Sequence, residues 1–246
     1  MKKRVLGFWL ITVLFLTACG QDIQTDAQTQ PEIQTEAEDG QAGSVSQQAG
    51  ADADAEKGSR ILIAYFSRAE NIDFDSNVDA VTSASINLDE DGQVIGNLSL
   101  IAGYLQEATG GDLFSIQTVQ KYPAAYIDTK DQAMVEQKQK TRPELSTHVE
   151  NIDDYDIIFL GFPTWWGAIP MPVATFLEEY NLAGKTIIPF ASHEGSSVGS
   201  SDAAIKELCP DAVVLQGFAI RGGNVNTQQG KETVEDFVAG LNLKSS

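Results

Sequence analysis

The stretch DIIFLGFPTWWGAIPMPVATFLEEYN, residues 156–181, holds a strand, a loop and a helix in one short span. Ile157–Phe162 is an apolar run too short for a helix and too continuous for a sheet with one wet face, as in a strand buried on both sides. After Pro163 the chain turns through Thr164, Trp165, Trp166 and Gly167, and helical spacing resumes beyond Pro170. Neighbouring side chains point different ways in any regular element, so no helix or strand buries both indoles in one core. The pair therefore sits on a loop, either as flat faces for a planar ligand or as the cap of a core edge or a protein contact.

Four further runs of the same kind flank this one: 60–67 (RILIAYFS), 112–119 (DLFSIQTV), 186–192 (TIIPFAS) and 212–220 (AVVLQGFAI). Helical patterns lie between them. In 97–110, Leu98, Ile101, Ala102 and Leu105 share a face, with Asn97 expected as N-cap and Gly110 as stop. Segments 171–181, 200–210 and 229–241 behave likewise, and a more polar segment, 124–140, fills the second crossover. Five strands alternating with helices predict an α/β fold: a doubly wound, five-stranded parallel sheet of order 2-1-3-4-5 in three α/β/α layers. Ligands of such sheets sit beyond the carboxyl ends of the strands, where strand order reverses. Three loops meet there: SRAEN after the first strand, PTWWGAIP after the third and SHEGSSVGS after the fourth.

Ser67 and Arg68 open the first loop, and anions favour such strand-to-helix turns because amides and the helix dipole are free there. The first helix nevertheless begins only near Gly96-Asn97, after an acidic insert at 70–95. The third loop carries His193 and Glu194 among small residues. No G-x-S-x-G nucleophile elbow accompanies that histidine, which argues against a hydrolase.

Outside this unit the chain opens with MKKR, a largely apolar run at 5–16 and Leu16-Thr17-Ala18-Cys19. The run falls short of the roughly 20 apolar residues that span a bilayer, so 1–19 reads as a secretory signal. Its ending resembles a bacterial lipobox, with Cys19 lipidated and the protein held on the outer face of the cytoplasmic membrane. Residues 20–58 carry nine acids, one lysine and no aromatic residue. They cannot bury enough apolar surface to offset ordering and read as a disordered acidic tether. The remainder, 59–246, suffices for one domain.

Removing Lys2, Lys3 and Arg4 takes the formal charge from −19 to −22. Such a surplus excludes nucleic acid as a natural partner and leaves the lipid anchor as the membrane contact. Beyond Cys19 stands only Cys209, expected as a small buried hydrophobe, so no intrachain disulfide forms in the mature part. His148 and His193 lie far apart, and no metal-site spacing is present. Arg221-Gly222-Gly223 reads as a tight turn.

Tyr65-Phe66-Ser67-Arg68, Gly96-Asn97, residues 151–180, GKTIIPFASHEGS at 184–196 and the segment near 208–223 together resemble the flavodoxin-like superfamily. Within it they are most similar to a bacterial lipoprotein branch with YFSR on the first strand and PxWWG after the third. The resemblance spans essentially 60–240. It implies non-covalent FMN, with its phosphate on the first loop and its isoalloxazine between the other two. Ser67, Arg68, Gly96, Asn97 and Leu98 then become phosphate-loop candidates. Thr164, Trp165, Trp166 and Gly167 contact the ring, and Ser192, His193, Glu194 and Gly195 form the opposite wall. The family's Gly-Asn-Thr is Gly96-Asn97-Leu98 here. The hydroxyl lost costs about 1.5–3 kcal/mol of anion binding, unless Ser83 or Ser85 of the insert supplies one.

Three functions follow: an FMN-binding lipoprotein carrying electrons outside the cytoplasm to a basic redox partner, an NAD(P)H-dependent flavin or quinone reductase, or a non-redox binding lipoprotein with a decayed flavin site. Cofactor-borne chemistry, the lack of any G-x-G-x-x-G and the outward address favour the carrier.

Overall fold

The computed structural model describes residues 59–73, 83–89, 91–241 and 243. The expected signal with Cys19, the acidic segment 20–58 and residues 74–82 of the insert lie outside them.

The strands are β1 (Ile61–Tyr65), β2 (Ile86–Leu88), β3 (Val94–Gly96), β4 (Asp112–Ser115), β5 (Ile157–Pro163), β6 (Thr186–His193), β7 (Val213–Val214) and β8 (Phe218–Arg221). The helices are α1 (Asn97–Thr109), α2 (Tyr126–Gln139), α3 (Met171–Glu179), α4 (Ser201–Leu208), α5 (Gly222–Val225) and α6 (Gln228–Gly240). The main sheet runs β4-β1-β5-β6-β7, with β8 also on β6 and every pair parallel. Counting β7 and β8 as one interrupted fifth strand, this is the expected order 2-1-3-4-5.

Alternation along each strand builds two cores. Leu62, Ala64, Ile158, Leu160 and Ile187 face a cluster completed by Val173, Phe176 and Leu177 of α3 and Ile205 of α4. Ile63, Tyr65, Phe159, Ile188 and Phe190 face the other, completed by Leu98, Ile101 and Leu105 of α1 and Val234 of α6. The central strands β1, β5 and β6 are largely apolar, as suits strands covered on both faces.

Four details differ from the sequence-based expectation. The fifth strand breaks because three residues, 215–217, stand opposite two, Ile188 and Pro189. Pro189 offers no N–H to a ladder, and the chain passes so close to its carbonyl that a Cβ on Gly217 would lie 1.8 Å from that oxygen. Helix α1 has Gly96, not Asn97, at its N-cap, whereas Gly110 closes it in the left-handed region with an N–H to Gln106 O, 2.8 Å. Part of the insert is folded: β2 and β3 form an antiparallel hairpin around Asp91-Gly92, where Asp89 Oδ1 accepts from the amides of Asp91 and Gln93. Arg221-Gly222-Gly223 leads directly into α5 rather than turning freely.

Candidate functional site

Beyond β5 the chain makes a two-residue turn. Trp165 N–H donates to Ala168 O at 3.1 Å and Ala168 N–H returns to Trp165 O at 3.0 Å, with Trp166 at φ 52° and Gly167 at φ 75°. Two positive φ values in succession mark the tight hairpin turn, and a tryptophan at the first of them is held against its own preference. Thr164 Oγ1 donates to Ser197 O at 2.6 Å, and Gln137 Nε2 to Trp165 O at 3.0 Å. Ser200 N–H reaches Gly167 O at 2.8 Å, where Gly199 approaches so closely that a Cβ there would lie 2.1 Å from that oxygen.

The turn sends the indoles apart. Trp165 points inward, edge-on to Phe66 (5.4 Å, 88°) and to Tyr122 (5.4 Å, 74°), with Nε1 donating to Ser85 Oγ at 3.2 Å. Trp166 points out, 50% exposed, its Nε1 donating to Lys130 O at 2.9 Å and Lys130 Nζ lying 5.6 Å from its ring centre. The turn thus packs one indole at a core edge and leaves the other exposed at the rim.

Beside them opens a cavity of about 350 Å³, within the range of small-ligand sites. Thr164, Trp165, Trp166 and Gly167 form one wall, and Glu194, Gly195 and Ser196 another. Arg68 lines it from the loop after β1, and Ser83, Ala84 and Ser85 from the insert. Tyr126, Thr129, Lys130 and Ala133 of α2 complete it. Seven of the thirteen site candidates, with Ser83 and Ser85 of the insert, thus meet in one cavity. The α2 residues went unread, although their spacing puts them on one helical face and would have nominated them as a unit.

Ser67, Gly96, Asn97, Leu98, Ser192 and His193 do not line the cavity. Asn97 and Ser192 are bonded to Ser83–Ser85, a strap that separates the N-terminal end of α1 from the cavity. Asn97 N–H donates to Ser85 O (3.0 Å), Asn97 Nδ2 to Ser83 O (2.8 Å) and Ser192 Oγ to Ala84 O. Asn97 therefore pins the insert instead of capping the helix. Leu98 is fully buried with Ile63 and Tyr65, so its side chain belongs to the core. Ser67 Oγ and Asn97 Oδ1 are buried without a partner among the described residues, and a Cβ on Gly96 would meet Ser67 Oγ at 2.1 Å. The ring side of the site thus fits a planar ligand. The helix end has a cradle of small groups, but its first amide is engaged and covered.

On the far wall, Gly195 N–H donates to His193 Nδ1 at 2.8 Å, which leaves the proton of a neutral imidazole on Nε2. Burial pushes this histidine below its ordinary 6.5; Glu194 opposes the shift and Arg221 adds to it. Glu194 Oε2 lies 3.7 Å from Arg221 Nε. Cys209 is buried, and burial raises its thiol to about 11, a structural rather than a reactive sulfur. Among the described residues no three His, Cys, Asp or Glu side chains gather to hold a metal, and no helix is long and apolar enough to cross a membrane.

The family model of flavodoxin matches residues 93–239. Among solved structures, a candidate flavoprotein of Bacteroides eggerthii is 29% identical, aligned over 76% of this chain and 99% of its own, with a TM-score of 0.56. A second, from Bacteroides uniformis, is 28% identical over 74% and 99%, with a TM-score of 0.55. A flavoprotein of Lactobacillus acidophilus in complex with FMN is 18% identical over 67% and 93%, with a TM-score of 0.48. No protein of curated function matches the chain. The family match takes in well over half of the sequence and runs from the hairpin through α6, so this chain belongs to the flavodoxin family.

Proposed function

We propose that the protein is an FMN-binding electron carrier, held on the outer face of the bacterial cytoplasmic membrane by a lipid on Cys19. The observation that carries the reading is the cavity at the carboxyl ends of β5 and β6, walled by an exposed indole and a glycine-bearing loop, in a chain of the flavodoxin family. FMN, when bound, supplies a ring that takes up and releases electrons, so the protein needs only to bind, orient and shield it.

Trp166 offers its face at the rim, and Trp165 supplies a rigid edge because Phe66 and Tyr122 lock it. Gly167 and Gly195, both at positive φ, keep the two facing loops free of side chains at those points. Glu194 places a carboxylate on one wall, while the neutral tautomer of His193 is fixed behind it. The acidic segment 20–58 separates the folded part from the anchor.

Titration of the protein with FMN tests the reading. A tight yellow complex with quenched flavin fluorescence is expected; protein that stays colourless and melts at the same temperature with and without FMN sinks it. The anchor has its own test: labelled palmitate enters the wild-type chain and fails to enter Cys19→Ser. Equal labelling of both removes the lipid.

A further inference from the structure

We propose, building on the flavin reading, that Ser83–Ser85 is a displaceable strap. It shuts an anion cradle at the N-terminus of α1, and a flavin's phosphate enters that cradle by expelling it.

The cradle rests on more than a helix end. The first amides of a helix have no partner within it, and no side chain caps those of α1. Their dipole favours an anion. Beside them Ser67 Oγ is wholly buried and has no hydrogen-bond partner among the described residues. A Cβ on Gly96 would lie 2.1 Å from that hydroxyl, so only glycine lets it come this close to the helix end.

The strap takes the donors of this cradle for itself. Asn97 N–H donates to Ser85 O at 3.0 Å and Asn97 Nδ2 to Ser83 O at 2.8 Å, while Ser192 Oγ donates to Ala84 O. Two strap carbonyls thus stand on donors that an oxyanion would use. They are the poorer match, because Ser67 Oγ and Asn97 Oδ1 stay buried with nothing to bond, which is costly. A phosphate on the same amides and on the Ser67 hydroxyl makes charge-assisted bonds, roughly twice as strong as neutral ones.

The strap is also a partition. Its three residues line the ring cavity on one side, and Asn97 holds two of them from the other. A ring in the cavity and a phosphate in the cradle belong to one molecule, which fits only when the partition moves. Its hold permits that. Ser83 and Ala84 are partly exposed, and the first side chain of this segment locked into the core is Ile86, at the start of β2. The state that accepts FMN is therefore a minor one, and association is slowed by the fraction that is open. A flavin without phosphate meets no such barrier.

Stopped-flow fluorescence on the full chain compares FMN with riboflavin. FMN is expected to associate about tenfold more slowly, at a rate that levels off as its concentration rises. Gly222→Ala wedges the strap from outside, since the new methyl would lie 2.2 Å from Ser83 O. The other side-chain atom near it, Glu194 Oε1 at 2.8 Å, is the end of a flexible chain. This variant should speed FMN association several-fold and leave riboflavin unchanged, whereas Gly223→Ala, with nothing within 4 Å, alters neither. Ser67→Ala should lower the ratio of FMN to riboflavin affinity about tenfold. Hydrogen exchange of wild type reads the strap without a variant: residues 83–86 should exchange faster with FMN bound than with riboflavin bound. Equal exchange with the two flavins, a folded Gly222→Ala protein that binds FMN no faster, or a Ser67→Ala ratio equal to wild type overturns this proposal and leaves the flavin reading standing. Failure of wild type and Gly222→Ala to bind either flavin overturns the two together.

Discussion

Trp166 and Trp165 are adjacent in sequence and opposite in role, and their replacement should separate the two. Trp166 is half exposed and touches no core cluster, so Trp166→Ala should leave stability nearly unchanged. It should weaken FMN binding by about 1–3 kcal/mol, the worth of one stacking ring, as read by titration. Trp165 fills the space between Phe66 and Tyr122, so Trp165→Ala should cost roughly 3 kcal/mol of folding stability, seen as a lower urea midpoint. Equal melting of the two variants would contradict the division. His193 gives a pH signature. Its pKa is lowered in the folded protein, so below its ordinary 6.5 the unfolded chain binds the proton first. Stability is complete above that value and declines as pH falls toward the lower folded pKa. His193→Gln should remove this part of the slope in urea melts at pH 5 to 7. Neither indole's direction was legible in the sequence, because it depends on two positive φ values that Gly167 announces and Trp166 conceals.

At the level of elements, the strands were legible because each carries its own signal: runs such as Ile157–Phe162 are apolar on both faces whatever their neighbours do. The break between β7 and β8 was not, since its cause, the carbonyl of Pro189, lies on another strand some 28 residues upstream of Gly217. The hairpin in the insert did have a local signal, Asp91-Gly92 between Ile86–Leu88 and Val94–Gly96, a dipeptide of the tight-turn class. The strap was hidden for the opposite reason. Nothing in Ser83-Ala84-Ser85 reveals that its carbonyls meet Asn97 and Ser192, more than ten and more than a hundred residues away. The contact between the third and fourth loops offers a test at this scale. Gly199 has φ 60° and no room for a Cβ against Gly167 O, 2.1 Å off. Gly199→Ala should therefore displace the tryptophan turn, lower stability by more than 1 kcal/mol and weaken FMN binding together with it. Gly223→Ala, where nothing lies within 4 Å of the new methyl, should do neither. A Gly199→Ala protein with unchanged flavin affinity would show that the two loops are not coupled.

For the molecule as a whole, the charge that sequence alone discloses sets how it meets other molecules. Of the 35 acidic residues nine fall in 20–58, which leaves 26 against 12 cations in 59–246, a net −14. Arg60, Arg142 and Lys231 are already engaged by Asp112, Asp154, Glu178 and Glu107, so the exposed field is more uniformly negative than the count of cations suggests. Such a field attracts basic partners from a distance and repels acidic ones, and salt weakens both effects. The expected outcome is therefore a pair of opposite salt slopes. Reoxidation of the reduced, flavin-loaded protein by a small cationic one-electron oxidant should slow several-fold as ionic strength rises from 0.01 to 0.15 M, over which the screening length falls from about 30 to about 8 Å. With an anionic oxidant of similar size the rate should rise over the same range. Stopped-flow absorbance at the flavin band measures both. Parallel slopes would mean that the flavin edge does not feel the surface charge, and a partner would then have to be selected by shape at the tryptophan rim.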